Sequence, residues 1–121
     1  MVGILDQNNI TLVQDLARFI DMQYGSDITI LDLRNVSSIS DFFIIATSRS
    51  TTHQKGLVNA IMEHASHQER EHVQFFLKGK SINEDWSVLD YALVLIHIFS
   101  AEKRRFYALE DLWKAAPKLE W

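Results

Sequence analysis

The chain has 121 residues, of which 47% are hydrophobic and 23% are charged, and its formal net charge at pH 7 is −4. This length corresponds to one domain with a sizeable apolar core, and the hydrophobic content excludes a disordered chain. The negative charge argues against a protein that holds nucleic acid mainly through its phosphates. The absence of cysteine excludes a disulfide framework, a cysteine-based zinc site and a thiol nucleophile.

The N-terminus, MVGILDQNNI, lacks the basic start and the apolar core of a secretory signal peptide. The longest apolar run, Ala92 to Phe99, is too short to cross a bilayer and is interrupted by His97. We therefore expect a cytoplasmic protein with no membrane segment. A single domain over residues 1–121, with a short N-terminal tail at about residues 1–8, is the simplest organisation.

The first predicted helix follows Thr11, because residues 11–14 (TLVQ) form a T-x-x-Q capping box. Leu12, Leu16 and Ile20 then recur every fourth residue, which is the spacing of a buried helix face. Gly25 stands where a glycine commonly ends a helix. The pattern therefore predicts one amphipathic helix that ends just before Gly25.

Two strands are predicted next along the chain. Residues 28–33 (ITILDL) are rich in branched side chains, and residues 42–46 (FFIIA) form an unbroken apolar run of strand length. Such a run is typical of a central strand that is covered on both faces. The small and polar residues 35–41 are predicted to form the loop between these strands.

A second capping box, residues 51–54 (TTHQ), predicts a helix whose inner stripe contains Leu57, Ile61 and Ala65. Val73 to Leu77 has the composition of a third strand, and the polar residues 78–85 are predicted to form a loop.

Two more strands, Trp86 to Leu89 and Leu93 to Phe99, are predicted with a tight turn between them near Asp90 and Tyr91. Ser100 would then cap a final helix. The order α-β-β-α-β-β-β-α predicts an α/β fold in which helices pack on a mixed, five-stranded sheet. This final helix is predicted to carry Phe106, Leu109 and Trp113 on one face and to end at Pro117.

The residues that could carry catalysis or bind a metal favour structural roles. His53, His64 and His67 could share a helix face, but no further ligand completes a site, so solvated histidines are favoured. His97 lies in a very apolar strand, where a hydrogen-bonded structural histidine is favoured over a catalytic base. Nucleotidyl transfer needs paired carboxylates for divalent metals, and the strand holding Asp32 has one acid where a D-x-D pair is required. We expect no catalytic residue, no metal and no cofactor.

A cluster of aromatic and basic residues near the C-terminus is a candidate binding surface. Tyrosine, tryptophan and arginine dominate binding hot spots, and five of them fall within residues 86–107. The alternative is that the aromatic residues are edges of the core with satisfied polar tips. The basic run at residues 103–105 is either the solvated start of a helix or a contact for a carboxylate or phosphate. The five residues are Trp86, Tyr91, Arg104, Arg105 and Tyr107.

The same segment resembles the RsfS/Iojap family of ribosomal silencing factors. The matching motifs are W-x-V-L-D-Y at residues 86–91, V-x-I-H-I-F at 94–99 and R-x-F-Y-x-L-E-x-L-W at 104–113. Upstream, D-L-R at residues 32–34 and S-S-I-S-D-F-F-I-I-A-T at 37–47 also match. The resemblance therefore extends from about residue 27 to residue 113.

This resemblance implies a fold distantly like that of nucleotidyltransferases without their catalytic carboxylates. It also implies a non-enzymatic and often dimeric protein that binds ribosomal protein L-fourteen of the large subunit and prevents the small subunit from docking. Related organellar proteins assist large-subunit assembly, which is the alternative function. No sequence-specific contact with nucleic acid is expected. The partner-binding residues implied are Trp86, Asp90 and Tyr91, followed by Arg104, Arg105 and Tyr107.

The sequence departs from the family pattern at three places. The family commonly has T-G-x-S where residues 47–50 read T-S-R-S, and Glu-Gly where Lys78 and Gly79 stand. It usually has Gly-Asp where Ala92 and Leu93 stand. The fold prediction does not depend on these positions, but they suggest a partner surface that is adapted in this protein.

Overall fold

The structure is a computed structural model that describes residues 4–70 and 75–121, and side chains from residue 7 onward. Its first half contains helix α1 (Ile4–Met22), strands β1 (Ser26–Asp32) and β2 (Phe42–Ser48), and helix α2 (Thr51–Gln68). Strands β3 (Phe75–Ser81), β4 (Trp86–Ala92) and β5 (Val94–Ser100) follow. The chain then forms two short helices, α3 (Ala101–Tyr107) and α4 (Leu109–Leu112), and a two-residue strand, β6 (Lys118–Leu119).

The strands form one mixed sheet in the order β3-β4-β5-β2-β1-β6. Strands β2 and β5 are parallel, and the other neighbouring pairs are antiparallel. The mixed α/β architecture is therefore confirmed, but the sheet has six strands where five were predicted. The additional strand is β6, which pairs with β1 only at Ile30 and Leu31. A two-residue strand has no periodicity that the sequence could reveal.

The sheet has apolar residues on both faces. On the helical face, Ile44 and Ala46 of β2 pack with α1 and α2. On the second face, Phe43 and Ile45 pack with the segment that follows α3. Because side chains alternate along a strand, this double burial explains the unbroken apolar run of β2. The second face is covered mainly over β1 and β2, whereas the side chains of β4 on that face are half-buried.

Helix α1 begins at Ile4, so the predicted start after Thr11 is wrong, and residues 4–8 of the predicted tail are helical. Gln14 does not cap the helix, because its Nε2 donates a hydrogen bond of 2.9 Å to the carbonyl of Glu120. The capping-box pattern therefore occurs by coincidence inside a longer helix. The predicted buried face is confirmed at Leu12, Leu16 and Ile20.

The end of α1 needs Gly25 for space and not for backbone freedom. Tyr24, and not Gly25, takes the left-handed conformation, with φ 67°. The Gly25 N–H donates to the Ile20 carbonyl at 2.9 Å, and the Tyr24 N–H donates to the Asp21 carbonyl at 3.0 Å. These two bonds form a Schellman motif. A Cβ on Gly25 would lie 2.5 Å from Cγ2 of Ile20, so a larger residue would not fit.

Helix α2 has the predicted buried stripe of Leu57, Ile61 and Ala65, but its N-cap is Ser50 and not Thr51. The Ser50 Oγ accepts a hydrogen bond of 3.0 Å from the His53 N–H. Gln54, predicted to cap the helix, is buried and joins three elements. Its Oε1 accepts from Ser48 Oγ at 2.6 Å, and its Nε2 donates to the Ile98 carbonyl at 2.8 Å.

Strand β3 ends later than predicted, since the prediction was Val73 to Leu77. It is described from Phe75 and continues to Ser81, into residues that were predicted to be a loop. Residues 71–74 lie outside the described residues, so the predicted start is not tested. Lys78, where the family pattern has an acid, is an exposed residue of this edge strand.

The turn between β4 and β5 lies two residues later than predicted, because Asp90 and Tyr91 belong to β4. Ala92 forms the turn, with φ 63°. The Leu93 N–H donates to the Tyr91 carbonyl at 2.7 Å across it, and the Ala92 N–H donates to Asp90 Oδ1 at 2.9 Å. Glycine adopts this backbone without steric cost, so the alanine that replaces the family glycine is strained here.

The predicted final helix is broken into two. Ser100 is its N-cap as predicted, accepting from the Lys103 N–H at 3.2 Å. The break is at Ala108, which has φ 46° and separates α3 from α4. Phe106 is consequently 76% exposed, whereas Leu109 packs against the second face of the sheet. The prediction that Phe106, Leu109 and Trp113 share one helix face is therefore wrong.

Candidate partner-binding face

Trp86 is the centre of an aromatic cluster on the second face of the sheet. It is the first residue of β4 and pairs with Phe99 of β5 in the sheet register. Its ring stacks on the Phe99 ring, with centroids 4.8 Å apart, and contacts the Tyr107 ring at 4.6 Å. One side of the indole is thus fixed by the sheet, while the residue as a whole is only half-buried.

The indole nitrogen of Trp86 has a defined partner. Its Nε1 donates a hydrogen bond of 3.2 Å to Nδ1 of His97. His97 is 6% exposed, and its ring also packs against Phe43, with centroids 4.7 Å apart. Burial lowers the pKa of His97 to about 4, so the imidazole is neutral and can accept this bond at ordinary pH.

Tyr107 lies beside Trp86 at the end of α3 and is exposed. Its ring also contacts Phe106 edge-on, with centroids 5.1 Å apart. Phe106 was not predicted as a site residue, although a phenylalanine next to a predicted anchor is a recognisable signal. Together with Trp86, these residues form an aromatic cluster, defined here as Trp86, Phe106 and Tyr107.

Arg104 does not belong to this surface, because its guanidinium is bound within the protein. Its side chain is 12% exposed, and it makes an ion pair of 3.0 Å with Glu110. It also donates to the Thr47 hydroxyl at 2.9 Å and to the carbonyl of Asp27. The arginine therefore joins α3 and α4 to the ends of β1 and β2. Its neighbour Arg105 is exposed.

Tyr91 is not brought to the aromatic cluster either. It is 1% exposed and stacks on Phe75, with centroids 4.7 Å apart, in the core under the helical face. Burial raises its pKa to about 12, and the charge of Glu69 adds to the effect. Trp86 and Tyr91 are five residues apart on one strand, so they point to opposite faces of the sheet. This odd spacing was visible in the sequence.

The structure thus brings together three of the six predicted residues and separates the others. Trp86, Tyr107 and Asp90 lie on or beside the second face, with the half-buried Val88 between Trp86 and Asp90 on β4. Leu95 of β5, partly buried and paired with Asp90, extends the same surface. We call this surface the β4 face: Trp86, Val88, Asp90, Leu95, Phe106 and Tyr107.

A cavity lies away from the β4 face, beside the start of β1 and the end of β2. Its volume is about 660 Å³, and Arg104 and Arg105 line it together with Asp27, Glu110 and Asp111. Because the Arg104 guanidinium already has protein partners and three acids surround it, the cavity does not favour an anionic ligand.

The described residues do not assemble a metal site. No group of three or more histidine, cysteine, aspartate or glutamate residues among them could hold an ion. His53 instead accepts from the Arg49 N–H at 2.9 Å, and its Nε2 lies 2.8 Å from the Gln23 carbonyl oxygen. The Asp32 carboxylate is held by two hydrogen bonds from Arg34, which also lower its pKa. None of the helices in the described part of the chain is long and apolar enough to span a membrane.

The fold is thus a small mixed α/β sheet with a partly exposed aromatic cluster at one side of its second face. A profile of the family described as "Ribosomal silencing factor during starvation" matches residues 6–121. The chain belongs to this family, as its motifs had indicated.

Individual relatives agree with this family. A ribosomal silencing factor RsfS of Haemophilus influenzae is 32% identical over 102 residues, covering 84% of this chain and 97% of that protein. The mitochondrial Iojap-related protein of Arabidopsis thaliana is 25% identical over 93% of this chain, which spans 62% of that protein. The mouse protein named "Mitochondrial assembly of ribosomal large subunit protein 1" is 26% identical over 81% of this chain, which spans 43% of it.

A crystal structure of a Bacillus halodurans protein has the same fold, with a TM-score of 0.75 at 23% identity. The alignment covers 92% of this chain and 98% of that one.

Proposed function

We propose that this protein binds the large ribosomal subunit through ribosomal protein L-fourteen and prevents the small subunit from docking, so that translation falls during starvation. The observation that carries the proposal is the half-exposed Trp86–Tyr107 pair on the β4 face of a chain that belongs to the silencing-factor family. The protein would act in the cytoplasm, as a homodimer and without catalysis.

The proposed inhibition is steric, and the size of the protein is sufficient for it. A compact chain of this length has a radius of gyration of roughly 14 Å and is about 30 Å across. Contacts between ribosomal subunits require near-touching surfaces, so a body of this width would keep them apart. A specific interface needs about 800 Å² on each partner, which a sheet edge and an adjoining helix can supply.

The anchors of the proposed interface are Trp86 and Tyr107. Both rings are packed on one side and open on the other, so they are held in place before the partner arrives. A well-packed aromatic anchor costs on the order of 2 kcal/mol when truncated, which is about thirtyfold in affinity. Tyr91, implied as an anchor by the family resemblance, is assigned a core role instead because it is buried on the opposite face.

The test uses purified Trp86→Ala and Tyr107→Ala proteins with large subunits, pelleted through sucrose. Each variant should bind about thirtyfold more weakly than the parent and should fail to inhibit subunit joining. Trp121→Ala is the matched control, because Trp121 is partly exposed beside β6, at the opposite edge of the sheet. Equal co-sedimentation of all three folded variants and the parent would remove the β4 face from the proposal.

A role in large-subunit assembly is the second candidate function. It is favoured by the mouse relative, whose name refers to assembly of the ribosomal large subunit. Sucrose gradients of a deletion strain separate the two functions. Precursor particles of the large subunit would indicate assembly, whereas normal subunits with poor survival in starvation would indicate silencing.

The proposal also includes a nucleotidyltransferase-like fold that has no catalytic role. The lack of a catalytic role is supported by Asp32, because its carboxylate is bound by Arg34 and its strand has one acid where nucleotidyl transfer needs a pair. Calorimetric titration with magnesium and a nucleoside triphosphate should give no binding heat. Saturable binding would favour an enzyme.

A further inference from the structure

His97 is a polar residue in a place that suits an apolar one. It belongs to β5, which lies between β2 and β4 in the sheet, and it pairs in register with Ile45 and Val88. Phe43 contacts it edge-on and Phe99 lies parallel to it, with ring centroids 4.7 Å and 6.2 Å away. The residues of β2, β4 and β5 that contact the ring carry no charge. A leucine or phenylalanine would fill the same space without burying polar atoms.

The contact with Trp86 fixes which nitrogen of His97 carries the proton. An indole N–H can only donate, so Nδ1 of His97 must be the acceptor in the 3.2 Å hydrogen bond. The proton of the neutral ring is therefore on Nε2. Nε2 is buried and has no hydrogen-bond partner among the described residues. An unpaired buried donor destabilises the folded state.

We infer that His97 is a positioning residue, which holds the indole of Trp86 in the orientation that the macromolecular partner recognises, at a cost in fold stability. The inference rests on the proposed function of Trp86 as an anchor. Trp86 is half-buried, so water could satisfy its nitrogen if His97 were apolar. A hydrogen bond to water would not restrict the indole ring to one orientation.

The hydrogen bond between Trp86 and His97 favours binding of the partner and does not stabilise the fold. An anchor whose rotamer is fixed in the free protein loses less conformational entropy when the partner arrives. The stacking of Trp86 on Phe99 and its tilted contact with Tyr107 limit how the ring tilts, and the bond to His97 fixes which edge faces the sheet. The structure therefore separates two roles: the aromatic contacts hold the ring, and His97 selects its orientation.

Two substitutions of His97 separate positioning from simple packing. His97→Leu fills the space but removes the acceptor. His97→Asn retains an acceptor at nearly the position of Nδ1, because its Oδ1 is also two bonds from Cβ, but it leaves a polar group buried and a smaller volume. If His97 positions Trp86, the leucine variant should bind large subunits about tenfold more weakly, and the asparagine variant within about threefold of the parent.

Fold stability should rank in the opposite order. The leucine variant should unfold at an equal or higher urea concentration than the parent, and the asparagine variant at a lower one. A purely structural role predicts that affinity follows stability, with leucine the better binder. That outcome, or parent-like binding by the leucine variant, would overturn the inference.

A measurement on the unsubstituted protein keeps the inference testable even if a variant fails to fold. The indole N–H resonance of Trp86, assigned by its loss in Trp86→Phe, should be shifted by the hydrogen bond and protected from exchange with solvent. Free exchange at the rate of an exposed indole would contradict the inference. If Trp86→Ala itself binds like the parent, the proposed function of this face fails. If only His97→Leu does so, the anchor stands and the positioning role is wrong.

Discussion

Ala92 holds a backbone conformation that its own side chain disfavours. Its φ of 63° lies in the left-handed region, and a hydrogen bond of 2.7 Å between the residues on either side closes the turn. Left-handed backbone costs a residue with a Cβ about 1 kcal/mol or more, and glycine has no such cost. We therefore expect Ala92→Gly to raise the free energy of unfolding by about 1 kcal/mol, measured by urea denaturation.

The control for this prediction is Ala101→Gly. Ala101 is exposed in the first turn of α3 and has no left-handed backbone, so glycine there should lower stability. Equal effects of the two substitutions would show that the turn at Ala92 is not strained.

His97 also predicts how stability depends on pH. Burial lowers its pKa from 6.5 to about 4, so between these values the unfolded chain binds a proton that the folded protein excludes. The contribution of His97 to the free energy of unfolding is therefore fully present above pH 6.5 and decreases as the pH is lowered towards 4. Below about pH 4 this residue causes no further loss. At about 1.4 kcal/mol for each pH unit, the loss is about 3 kcal/mol.

The pH dependence is measured by urea denaturation at intervals from pH 7 to pH 4. His97→Leu should show a much flatter decline over this range than the parent. Asp32 is not a competing source there, because Arg34 lowers its pKa and its contribution is lost only as the pH falls below about 3.8. Parallel curves for the parent and the variant would contradict the assignment.

Among the secondary-structure elements, helices α3 and α4 are joined across their break by an ion pair. Arg104 and Glu110 lie on either side of Ala108, and their side chains are 3.0 Å apart. Without Glu110, the largely buried guanidinium loses its carboxylate partner. We expect Glu110→Ala to lower the free energy of unfolding by about 2 kcal/mol, because hydrogen bonds to charged groups contribute more than neutral ones.

Asp111→Ala provides the matched control for this prediction. Asp111 is the adjacent acid, is exposed, and belongs to the same short helix. Its removal should change stability by less than about 0.5 kcal/mol. If urea denaturation shows the same loss for both variants, the ion pair does not hold the break.

Elements with a local pattern were predictable, and those that depend on distant contacts were not. Helix α2 and strand β2 were located because their apolar residues repeat at helical spacing or form an unbroken run. Beside the break at Ala108, Arg104 donates a hydrogen bond to Thr47, 57 residues earlier in the chain, and no local pattern records such a contact. Strand β6 exists only because β1 lies beside it.

At the scale of the whole molecule, the aromatic residues of the binding face were predictable but their arrangement was not. Residue type indicated Trp86 and Tyr107 correctly as neighbours. It also grouped them with Tyr91 and Arg104, because the sheet register and the internal partners of an arginine are tertiary properties. The positioning role of His97 could be inferred only from the structure, because it rests on a single hydrogen bond from Trp86.

The charge of the molecule predicts how its association with a basic partner depends on salt. The net charge is −4, and three acids are on or next to β4: Glu84 and Asp85, which directly precede Trp86, and Asp90. Opposite charges accelerate the encounter of two proteins, and salt screens them within about 10 Å at 0.1 M. The association rate with large subunits should therefore fall as salt rises, in rapid-mixing experiments followed by light scattering.

Two variants separate this electrostatic contribution from the anchors. Replacing Glu84 by Gln together with Asp85 by Asn should slow association at low salt and weaken its dependence on salt. Trp86→Ala should leave that dependence unchanged and accelerate dissociation, since a packed anchor acts after the encounter. An association rate that does not change with salt would show that the acids near Trp86 do not face the basic partner, and the β4 face would then have to bind through its apolar residues alone.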